Sequence, residues 1–480
     1  MLKTRCQSDA LLVRNRPHHW ESRHQSPMKT ALLLSYYYPP IGGIGSLRSQ
    51  KFARYLPEFG WEPIVITPER GSSWVDPTLE DGTGRGVEVL RTRSINLGSP
   101  FKAGSRNGSV SGASSEKVQA VERANRNSAI RAIKRAVRTW VYLPDGQIGW
   151  FPYALRACKE TLEAKQIDVI WSTSFPLTAH LVASRLKRVT DKPWIADFRD
   201  IWTDGGATGS TETLRKRLDR VIQSRLLARA DAIVTVSHEL ANQLRRITRG
   251  KKRVEVIRNG FDSTDFAGVQ RTEPEKWTTT FVGSYYSFYD PAPFFSALHR
   301  LIDRGRISKD DARLVFVGQA HPDVERLARR YEVRDITHFT DLVSNREALG
   351  YQVNSSILLF VLNGEGASPG HITGKLFEYL AARRPILGIV SPDFEAARII
   401  QETGAGVAVS ADDAEGIERF LLDSYARFKS GTDQLSCVGD LSMYERKHTA
   451  QQLAELMTDL TEPRTLVASS RVPAREGELS

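Results

Sequence analysis

Short apolar segments rich in Val, Ile, Leu and Thr alternate with longer segments whose apolar residues recur every three or four positions. The first pattern is typical of buried strands, and the second of helices that pack on a sheet. In the first half the predicted strands are Thr30–Tyr37, Pro63–Thr67, Val87–Thr92, Asp168–Ser174, Pro193–Asp197, Ala232–Ser237 and Val254–Ile257. In the second half they are Thr278–Gly283, Arg313–Gly318, Ile357–Leu362, Pro385–Val390 and Gly406–Ser410. This alternation indicates βα units and parallel sheets.

The alternation pauses around residues 262–276 and then restarts. The pause predicts two Rossmann-like α/β domains that face each other across a cleft. We expect residues 28–262 to form the first domain and residues 276–440 to form the second. A final helical pattern over Met443–Leu460 lies in a segment, residues 441–460, that is long enough to cross back to the first domain.

Three segments carry neither pattern. Residues 1–27 are basic and His-rich but lack the apolar stretch of a secretory signal, and we expect a disordered tail. Residues 98–116 are rich in Gly and Ser, which predicts a mobile loop within the first domain. Residues 461–480 are expected to form a second disordered tail.

The composition excludes several classes of protein. The chain has 480 residues, of which 40% are hydrophobic and 26% charged, as in a globular protein of two or three domains. Since no apolar stretch reaches the roughly 18 residues of a membrane-spanning helix, an integral membrane protein is disfavoured. The three cysteines lie far apart without metal-ligand spacing, which disfavours a disulfide scaffold and a zinc module.

The positive charge is concentrated in the first half of the chain. The net charge is +11, but residues 1–262 contain 43 Lys/Arg and 25 Asp/Glu, whereas residues 263–480 contain 24 and 31. The halves therefore carry +18 and −7. This asymmetry predicts an anionic partner for the basic half, and nucleic acid, an anionic membrane and a phosphorylated substrate all satisfy it.

The first candidate site is Ser35–Arg48, where a strand is followed by two prolines and a turn that contains Gly42 and Gly43. Glycines allow a ligand to approach the backbone closely, and the N-terminus of the following helix attracts anions. A tight strand–helix turn without a ligand explains the same residues equally well. The segment is not a Walker loop, because no Gly-Lys-Ser/Thr follows.

The second candidate site is Trp194–Trp202, an apolar strand that ends in Asp197, Arg199 and Asp200. Charged residues at the carboxyl end of a parallel strand face the cleft in which α/β proteins bind ligands. A salt-bridged loop is the alternative explanation. His180, which begins or lines an earlier helix, is a further candidate on this side of the cleft, although a single histidine there is also explained by packing.

The third candidate site is Gly370–Ile389, where a glycine-containing turn opens a helix. Thr373, Gly374 and Lys375 lie near the N-terminus of that helix. Backbone amides together with one ammonium group suit a diphosphate.

Glu378 lies one helical turn beyond that N-terminus. A carboxylate at this place can accept hydrogen bonds from both hydroxyls of a ribose. The alternative is an ion pair between Glu378 and Arg383 or Arg384.

Two basic helical patterns complete the candidates. Lys117–Arg138 contains seven Lys/Arg and one Glu, and Leu214–Arg229 is similar. A basic amphipathic helix can lie on an anionic bilayer, but it can equally be a surface helix of its own domain.

In their order, these segments resemble the family 4 glycosyltransferases, which are nucleotide-sugar enzymes with the GT-B fold. The resemblance covers most of residues 28–460. The motifs that carry it are the PP-x-GG loop after the first strand, Ala230–Ser237 (ADAIVTVS), Val256–Asp262 (VIRNGFD), Phe281–Ser284 (FVGS) and Lys375–Leu387 (KLFEYLAARRPIL). The ordered set is specific for the fold.

The resemblance implies a retaining, metal-independent transfer of a sugar from a nucleotide-diphosphate sugar held by the second domain. The implied donor-binding residues are Gly42, Gly43, Gly283, Ser284, His371, Thr373, Gly374, Lys375 and Glu378. The implied catalytic residues are Arg199, Asp200 and Lys375, and the acceptor-side residues are Asp197 and His180. No cofactor is expected beyond the donor substrate, and no metal ligand is expected because the chain lacks an Asp-x-Asp motif.

The chain also departs from the family pattern. Glu378 matches the second acid of the family's E-x7-E motif, but Gly370 stands at the first. Ser284 and the stretch Tyr285–Tyr289 stand where the family often has Arg and Lys, and Arg199 stands where it often has His. Two alternatives therefore remain open, namely a non-catalytic GT-B scaffold with a degenerate donor site and a nucleotide-sugar epimerase.

The expected partners follow from the resemblance and the charge. The acceptor is expected to be a lipid-linked or polysaccharide-precursor glycan of cell-envelope or exopolysaccharide synthesis. We expect a cytoplasmic enzyme that is peripheral on the inner face of the plasma membrane, where the basic half meets an anionic surface. Nucleic acid is not expected, since the sequence has no recognition-helix or RNA-stacking motif.

Overall fold

Burial along the chain follows the strand–helix alternation in the computed structural model of this protein. The structure describes residues 28–462 except for 43, 70–74, 77–78, 80–86, 96–143, 201–213, 284, 286–287, 319–321 and 433–438. The predictions for residues 1–27, 98–116 and Lys117–Arg138, and for most of 461–480, fall on residues that are not described.

A seven-stranded sheet, parallel throughout, forms the centre of the first domain. Its strands are β1 (Lys29–Leu34), β2 (Trp61–Pro68), β3 (Glu88–Thr92), β4 (Val169–Ser174), β5 (Trp194–Phe198), β6 (Ala232–Thr235) and β7 (Arg253–Val256). They lie in the order β3-β2-β1-β4-β5-β6-β7. The first three strands are added towards one edge of the sheet and the last four towards the other, so the order of addition reverses between β1 and β4. α/β proteins bind ligands at such a switch point.

Helices cover both faces of this sheet, so its central strands are continuous apolar segments. The helices are α1 (Ile44–Tyr55), α2 (Phe151–Ala164), α3 (Thr178–Thr190), α4 (Leu214–Arg229) and α5 (His238–Ile247). Short 3₁₀ helices lie at Leu56–Phe59 and Ile148–Trp150, and at Ser263–Phe266 after the sheet ends.

The second domain repeats the plan with a six-stranded parallel sheet. Its strands are β8 (Trp277–Val282), β9 (Ala312–Val317), β10 (Thr337–Phe339), β11 (Ile357–Leu362), β12 (Ile386–Val390) and β13 (Gly406–Val409), in the order β10-β9-β8-β11-β12-β13. Its helices are α6 (Ala292–Asp303), α7 (Pro322–Arg330), α8 (Asn345–Val353), α9 (Gly374–Ala382), α10 (Glu395–Glu402) and α11 (Ala414–Lys429). Short 3₁₀ helices lie at Arg334–Ile336 and Ser442–Tyr444.

The predicted fold class of two Rossmann-like α/β units is confirmed. Each predicted strand is present, with ends displaced by no more than a few residues. The sequence did not predict β10, because its three residues are too few to establish an alternating pattern.

The last helix, α12 (Arg446–Thr461), leaves the second domain and packs on the first. Leu453 and Met457 on its apolar face are buried in the same cluster as Leu33 of β1 and Trp171 of β4. The first domain therefore takes one wall of its core from the end of the chain.

Two carboxylates connect the domains across the cleft. Glu395, at the start of α10, accepts hydrogen bonds from the backbone N–H of His238 (2.9 Å) and from the guanidinium of Arg258 (2.5 Å). Asp76 accepts a hydrogen bond from the backbone N–H of Asn345 at 3.1 Å. These contacts hold the two walls of the cleft together.

Among the described helices, none is both long enough and apolar enough to cross a membrane.

Candidate functional site

Residues that follow the carboxyl ends of β1, β8 and β9 line a cavity of about 200 Å³ between the domains. Ligands of α/β proteins bind at this end of the sheet, beside the switch point. The lining residues used below are Leu47 and Asp76 of the first domain, and Gly283, Asn345, Lys375 and Glu378 of the second. The cavity therefore depends on both domains for its shape.

Lys375, near the start of α9, places its ammonium group between two aromatic rings. Its Nζ lies 3.9 Å from the ring centroid of Phe281 and 4.2 Å from that of Tyr289. Within the described ranges this buried Nζ has no hydrogen-bond partner. Burial lowers the pKa of Lys375 to about 7. A buried cation held by rings alone is suited to receive an anionic ligand.

Gly283 closes the space beside that ammonium group. Its φ of +121° is in a region that favours glycine, and a Cβ there would lie 3.2 Å from Nζ of Lys375. A side chain at residue 283 would therefore strain the backbone and displace the ammonium group of Lys375 by a few tenths of an ångström.

The N-terminus of α9 presents further polar groups that lack partners. Thr373 precedes the helix but its side chain does not cap it, and among the described atoms its buried Oγ1 has no hydrogen-bond partner. The same holds for the buried Nδ1 of His371, whose ring packs against Phe288 with centroids 5.2 Å apart. Burial lowers the pKa of His371, and Asp200 across the cleft opposes that shift. With the Gly374 amide, these groups form an unsatisfied, anion-attracting cluster.

Glu378 lies half-buried on the same helix and accepts a hydrogen bond from Gln352 at 3.0 Å. Burial raises the pKa of Glu378, while Lys375 and Arg446 act in the opposite direction. The alternative that paired Glu378 with a following arginine is wrong for Arg384, which is fully buried against Glu273 at 3.0 Å. The carboxylate is therefore available to the cavity.

Gly370 lies where the first acid of the motif was expected, and the domain interface explains the glycine. A Cβ at this position would lie 3.0 Å from Cβ of Glu239 and 3.1 Å from Oγ of Ser237. Both belong to the first domain, at the N-terminus of α5. Any side chain at residue 370 would require these neighbours to move by a few tenths of an ångström, so the close approach of the first domain favours glycine here.

Arg199 lies on the first-domain side of the cleft, at the N-terminus of α1. Its Nε donates to the carbonyl of Ser174 at 2.5 Å, and its guanidinium covers Gly45 so closely that a Cβ there would collide with it. Gly45 is thus required for the approach of Arg199. Asp200 beside it is exposed, and Gly42 is half-buried just before α1. Gly43 and Ser284 lie outside the residues that the structure describes.

The two predicted acceptor-side residues are buried in the first domain instead of facing the cleft. Asp197 is fully buried and receives two hydrogen bonds from Arg48, at 2.9 and 3.1 Å. His180 is also fully buried, stacks on Phe198 at 4.3 Å and bonds Ser172 at 2.8 Å. Burial lowers the pKa of His180 to about 3, so the ring is neutral.

Sequence analysis did not identify Gln352, Arg446 or Tyr289 as parts of the site. Tyr289 belongs to the aromatic stretch that was interpreted as a loss of basic residues, yet its ring faces the ammonium group of Lys375. The aromatic stretch itself was therefore the available signal. For Gln352 and Arg446 no local pattern was available, because chain reversals bring them to Glu378.

Three comparisons place this geometry among known proteins. The sequence profile of the glycosyl transferase 4-like domain matches residues 42–260. A comparison with curated protein sequences gives no match. Among solved structures, the chain is similar to sucrose-phosphate synthase from Thermosynechococcus elongatus, with 14% identity and a TM-score of 0.52 over 90% of this chain and 96% of that one.

A second solved structure, described as that of a UDP-N-acetylglucosamine 2-epimerase from Listeria monocytogenes, has 12% identity and a TM-score of 0.50 over 90% of this chain and 96% of that one. At these identities the likeness shows the fold alone.

Proposed function

We propose that this chain, whose residues 42–260 match the glycosyl transferase 4-like domain and which has a GT-B fold, transfers a sugar with retention from a nucleotide-diphosphate sugar. The acceptor in this proposal is a lipid-linked or polysaccharide-precursor glycan of cell-envelope or exopolysaccharide synthesis.

The observation that carries the proposal is the ammonium group of Lys375. It is buried at the N-terminus of a nine-residue helix, between two rings, and it has no hydrogen-bond partner among the described atoms. A diphosphate supplies the missing negative charge and accepts from the helix amides at the same time. Glu378, on the next turn of the helix, is placed to accept hydrogen bonds from the ribose hydroxyls.

The main requirement of this reaction is that the protein stabilise the charges that develop in the transition state. The bond between the anomeric carbon and the diphosphate oxygen breaks, positive charge develops on the sugar, and the leaving diphosphate gains negative charge. Lys375 and the α9 N-terminus stabilise the diphosphate from the second domain, and Arg199 does so from the first. Asp200 is exposed, and in this proposal its carboxylate orients the acceptor hydroxyl.

A thermal-shift panel tests the donor site. We expect one of UDP, GDP, ADP and TDP, with CMP as the monophosphate member, to raise the melting temperature of the wild-type protein. At about 100 times its dissociation constant, such a ligand adds roughly 2.7 kcal/mol to the free energy of unfolding. The shift should be much smaller in Glu378→Ala, which removes the carboxylate from the cavity, and unchanged in Glu365→Ala.

The outcomes separate the alternatives. If no nucleotide raises the melting temperature, the donor site is degenerate, and the result supports a non-catalytic scaffold instead of a transferase. If one nucleotide raises the melting temperature, its base identifies the nucleotide sugars that should then be incubated with the protein. A nucleotide sugar that changes configuration without an acceptor identifies an epimerase, and transfer to an added glycan identifies the proposed reaction.

We further propose that the first domain meets an anionic membrane surface, where a lipid-linked acceptor is found. Support comes from the net charge of +18 over residues 1–262, against −7 over residues 263–480. The basic segments Lys117–Arg138 and Leu214–Arg229 contribute much of that charge.

Vesicle sedimentation tests the membrane proposal. We expect the protein to sediment with vesicles containing anionic lipid, to stay in solution with zwitterionic vesicles, and to be released as salt rises from about 0.1 to about 1 M. Replacing the seven Lys/Arg of residues 117–138 by Gln should weaken the sedimentation, whereas replacing exposed basic residues of the second domain should not. Sedimentation that depends neither on the lipid charge nor on the salt concentration contradicts the proposal.

A further inference from the structure

Arg446, the first residue of α12, is a buried cation at the junction of the domains. Its side chain is 3% exposed, and the described residues offer no hydrogen-bond partner to its Nη1 and no carboxylate in an ion pair. Its backbone N–H donates to the carbonyl of Phe261 at 2.7 Å, which fixes the start of α12 to the end of the first domain. A buried guanidinium of this kind needs an electrostatic partner.

A second cavity, of about 10 Å³, brings three carboxylates close to Arg446. It is lined by Arg446 and Glu378, by Lys51 of α1, and by Asp262 and Asp265 of the segment between β7 and β8, which we call the hinge. Its volume is about that of one water molecule, so it is too small to be a ligand site of its own. Lys51 lies 2.7 Å from the carboxylate of Asp262 and 2.5 Å from that of Asp265, so the hinge carboxylates already have their cation.

Glu378 lines both this small cavity and the larger cavity of the cleft. Its side chain thus borders both the cleft and the small cavity that Arg446 also lines. The charged groups that act on it are Lys375 of its own helix, Arg446 of α12 and Asp265 of the hinge. Burial raises the pKa of Glu378, and it lowers the pKa of Arg446 to about 9. Arg446 opposes the effect of burial on Glu378, and Glu378, together with Asp265 and Asp262, opposes the effect of burial on Arg446, so Glu378 and Arg446 favour each other's charged forms.

We propose that Arg446 is a positioning residue for the donor site, which keeps Glu378 ionised and directed toward the cleft. This inference rests on the proposed function, since it concerns the carboxylate that receives the ribose. It also makes the end of the chain part of the donor site: the residue that supports Glu378 arrives on the helix that crosses to the first domain.

The test compares Arg446→Met with the wild-type protein by calorimetric titration of the nucleoside diphosphate that the thermal-shift panel selects. We expect nucleotide affinity to fall about tenfold, which is the lower end of the loss seen when a residue that orients a ligand-binding side chain is removed. The loss should grow as pH falls from about 8 to about 6, because without Arg446 the carboxyl of Glu378 takes up a proton more readily. In turnover, KM for the donor should rise while kcat stays close to wild type. Arg446→Lys should restore most of the affinity.

Two further variants separate positioning from folding. Arg384→Met removes another fully buried arginine at the opposite end of α9, and it should lower stability without changing nucleotide affinity or its pH dependence. In a Glu378→Gln background, Arg446→Met should cause no further loss of affinity, since the charge it supports is gone. Arg446→Gln serves if Arg446→Met does not fold.

Equal affinity and an equal pH profile in wild type and Arg446→Met overturn the inference, as does a second loss in the Glu378→Gln background. If the wild-type protein binds no nucleotide, the proposed function fails instead.

Discussion

Replacing Lys375 by methionine is expected to lower kcat/KM for sugar transfer by about a hundred- to a thousandfold. Removing one preorganised group that stabilises developing negative charge costs about this much in other enzymes. Methionine keeps the length and the packing between the rings of Phe281 and Tyr289, so the loss reports the charge. The measurement is initial-rate kinetics with the donor selected by the thermal-shift panel.

The same variant should be more stable than the wild type in the absence of ligand. In the folded protein, burial lowers the pKa of Lys375 from 10.5 to about 7. Between these two pH values the unfolded chain binds more protons at this residue than the folded chain. The free energy of unfolding therefore rises with pH across that window, and Lys375→Met removes that rise. Thermal melts of both proteins across the window measure the difference.

Binding of a diphosphate should restore the charged form of Lys375. Near pH 8 we expect the wild type to take up close to one proton per nucleotide, visible as a dependence of the calorimetric enthalpy on buffer ionisation. Lys276→Met, at an exposed lysine of the same domain, should leave rate, stability and proton uptake unchanged. A Lys375→Met enzyme with normal kcat/KM contradicts the assigned role.

Asp197→Asn is expected to lower the free energy of unfolding by about 3–5 kcal/mol. Asp197 and Arg48 are both fully buried, and the carboxylate receives two hydrogen bonds from the guanidinium. The remaining Arg48 donors go to the carbonyls of Ile257 and Arg258, at 2.9 Å each, so the arginine fixes the sheet to the segment that leads out of the domain. Removing the charge leaves Arg48 buried without its counter-ion. Denaturant unfolding measures the change.

Asp200→Asn is the matched control, because Asp200 is exposed three residues further along the chain. Its effect on stability should stay within about 0.5 kcal/mol. The double variant Arg48→Met/Asp197→Leu should recover much of the stability, since apolar residues of similar volume often replace a buried ion pair without loss. If Asp197→Asn changes stability little but strongly weakens acceptor binding, the prediction that Asp197 binds the acceptor is supported instead.

The fold was largely predictable because its signal is repeated. Each central strand is buried on both faces, so segments such as Ile357–Leu362 are apolar throughout and their ends are marked by glycine, proline or charge. The three-residue strand β10 was not predicted, because so short a segment carries no periodicity. Tertiary pairing, rather than local pattern, makes it a strand.

The candidate site was only partly predictable, because a sequence pattern gives position along an element but not direction in space. The α9 N-terminus was predicted from its turn and its lysine, and the structure places it at the cavity. Asp197 and Asp200 look alike in the sequence, yet one is buried against Arg48 and the other is exposed. That difference depends on a residue 149 positions away, which no local pattern reveals.

The crossing of α12 has a consequence for biosynthesis. A chain is synthesised from its N-terminus, and domains generally fold as units in that order. Here Leu453 and Met457, at the end of the chain, complete the core cluster that contains Leu33 and Trp171. The core of the first domain is therefore completed only after the second domain has been translated, and until then the sheet face that carries Leu33 and Trp171 has α1 but lacks α12.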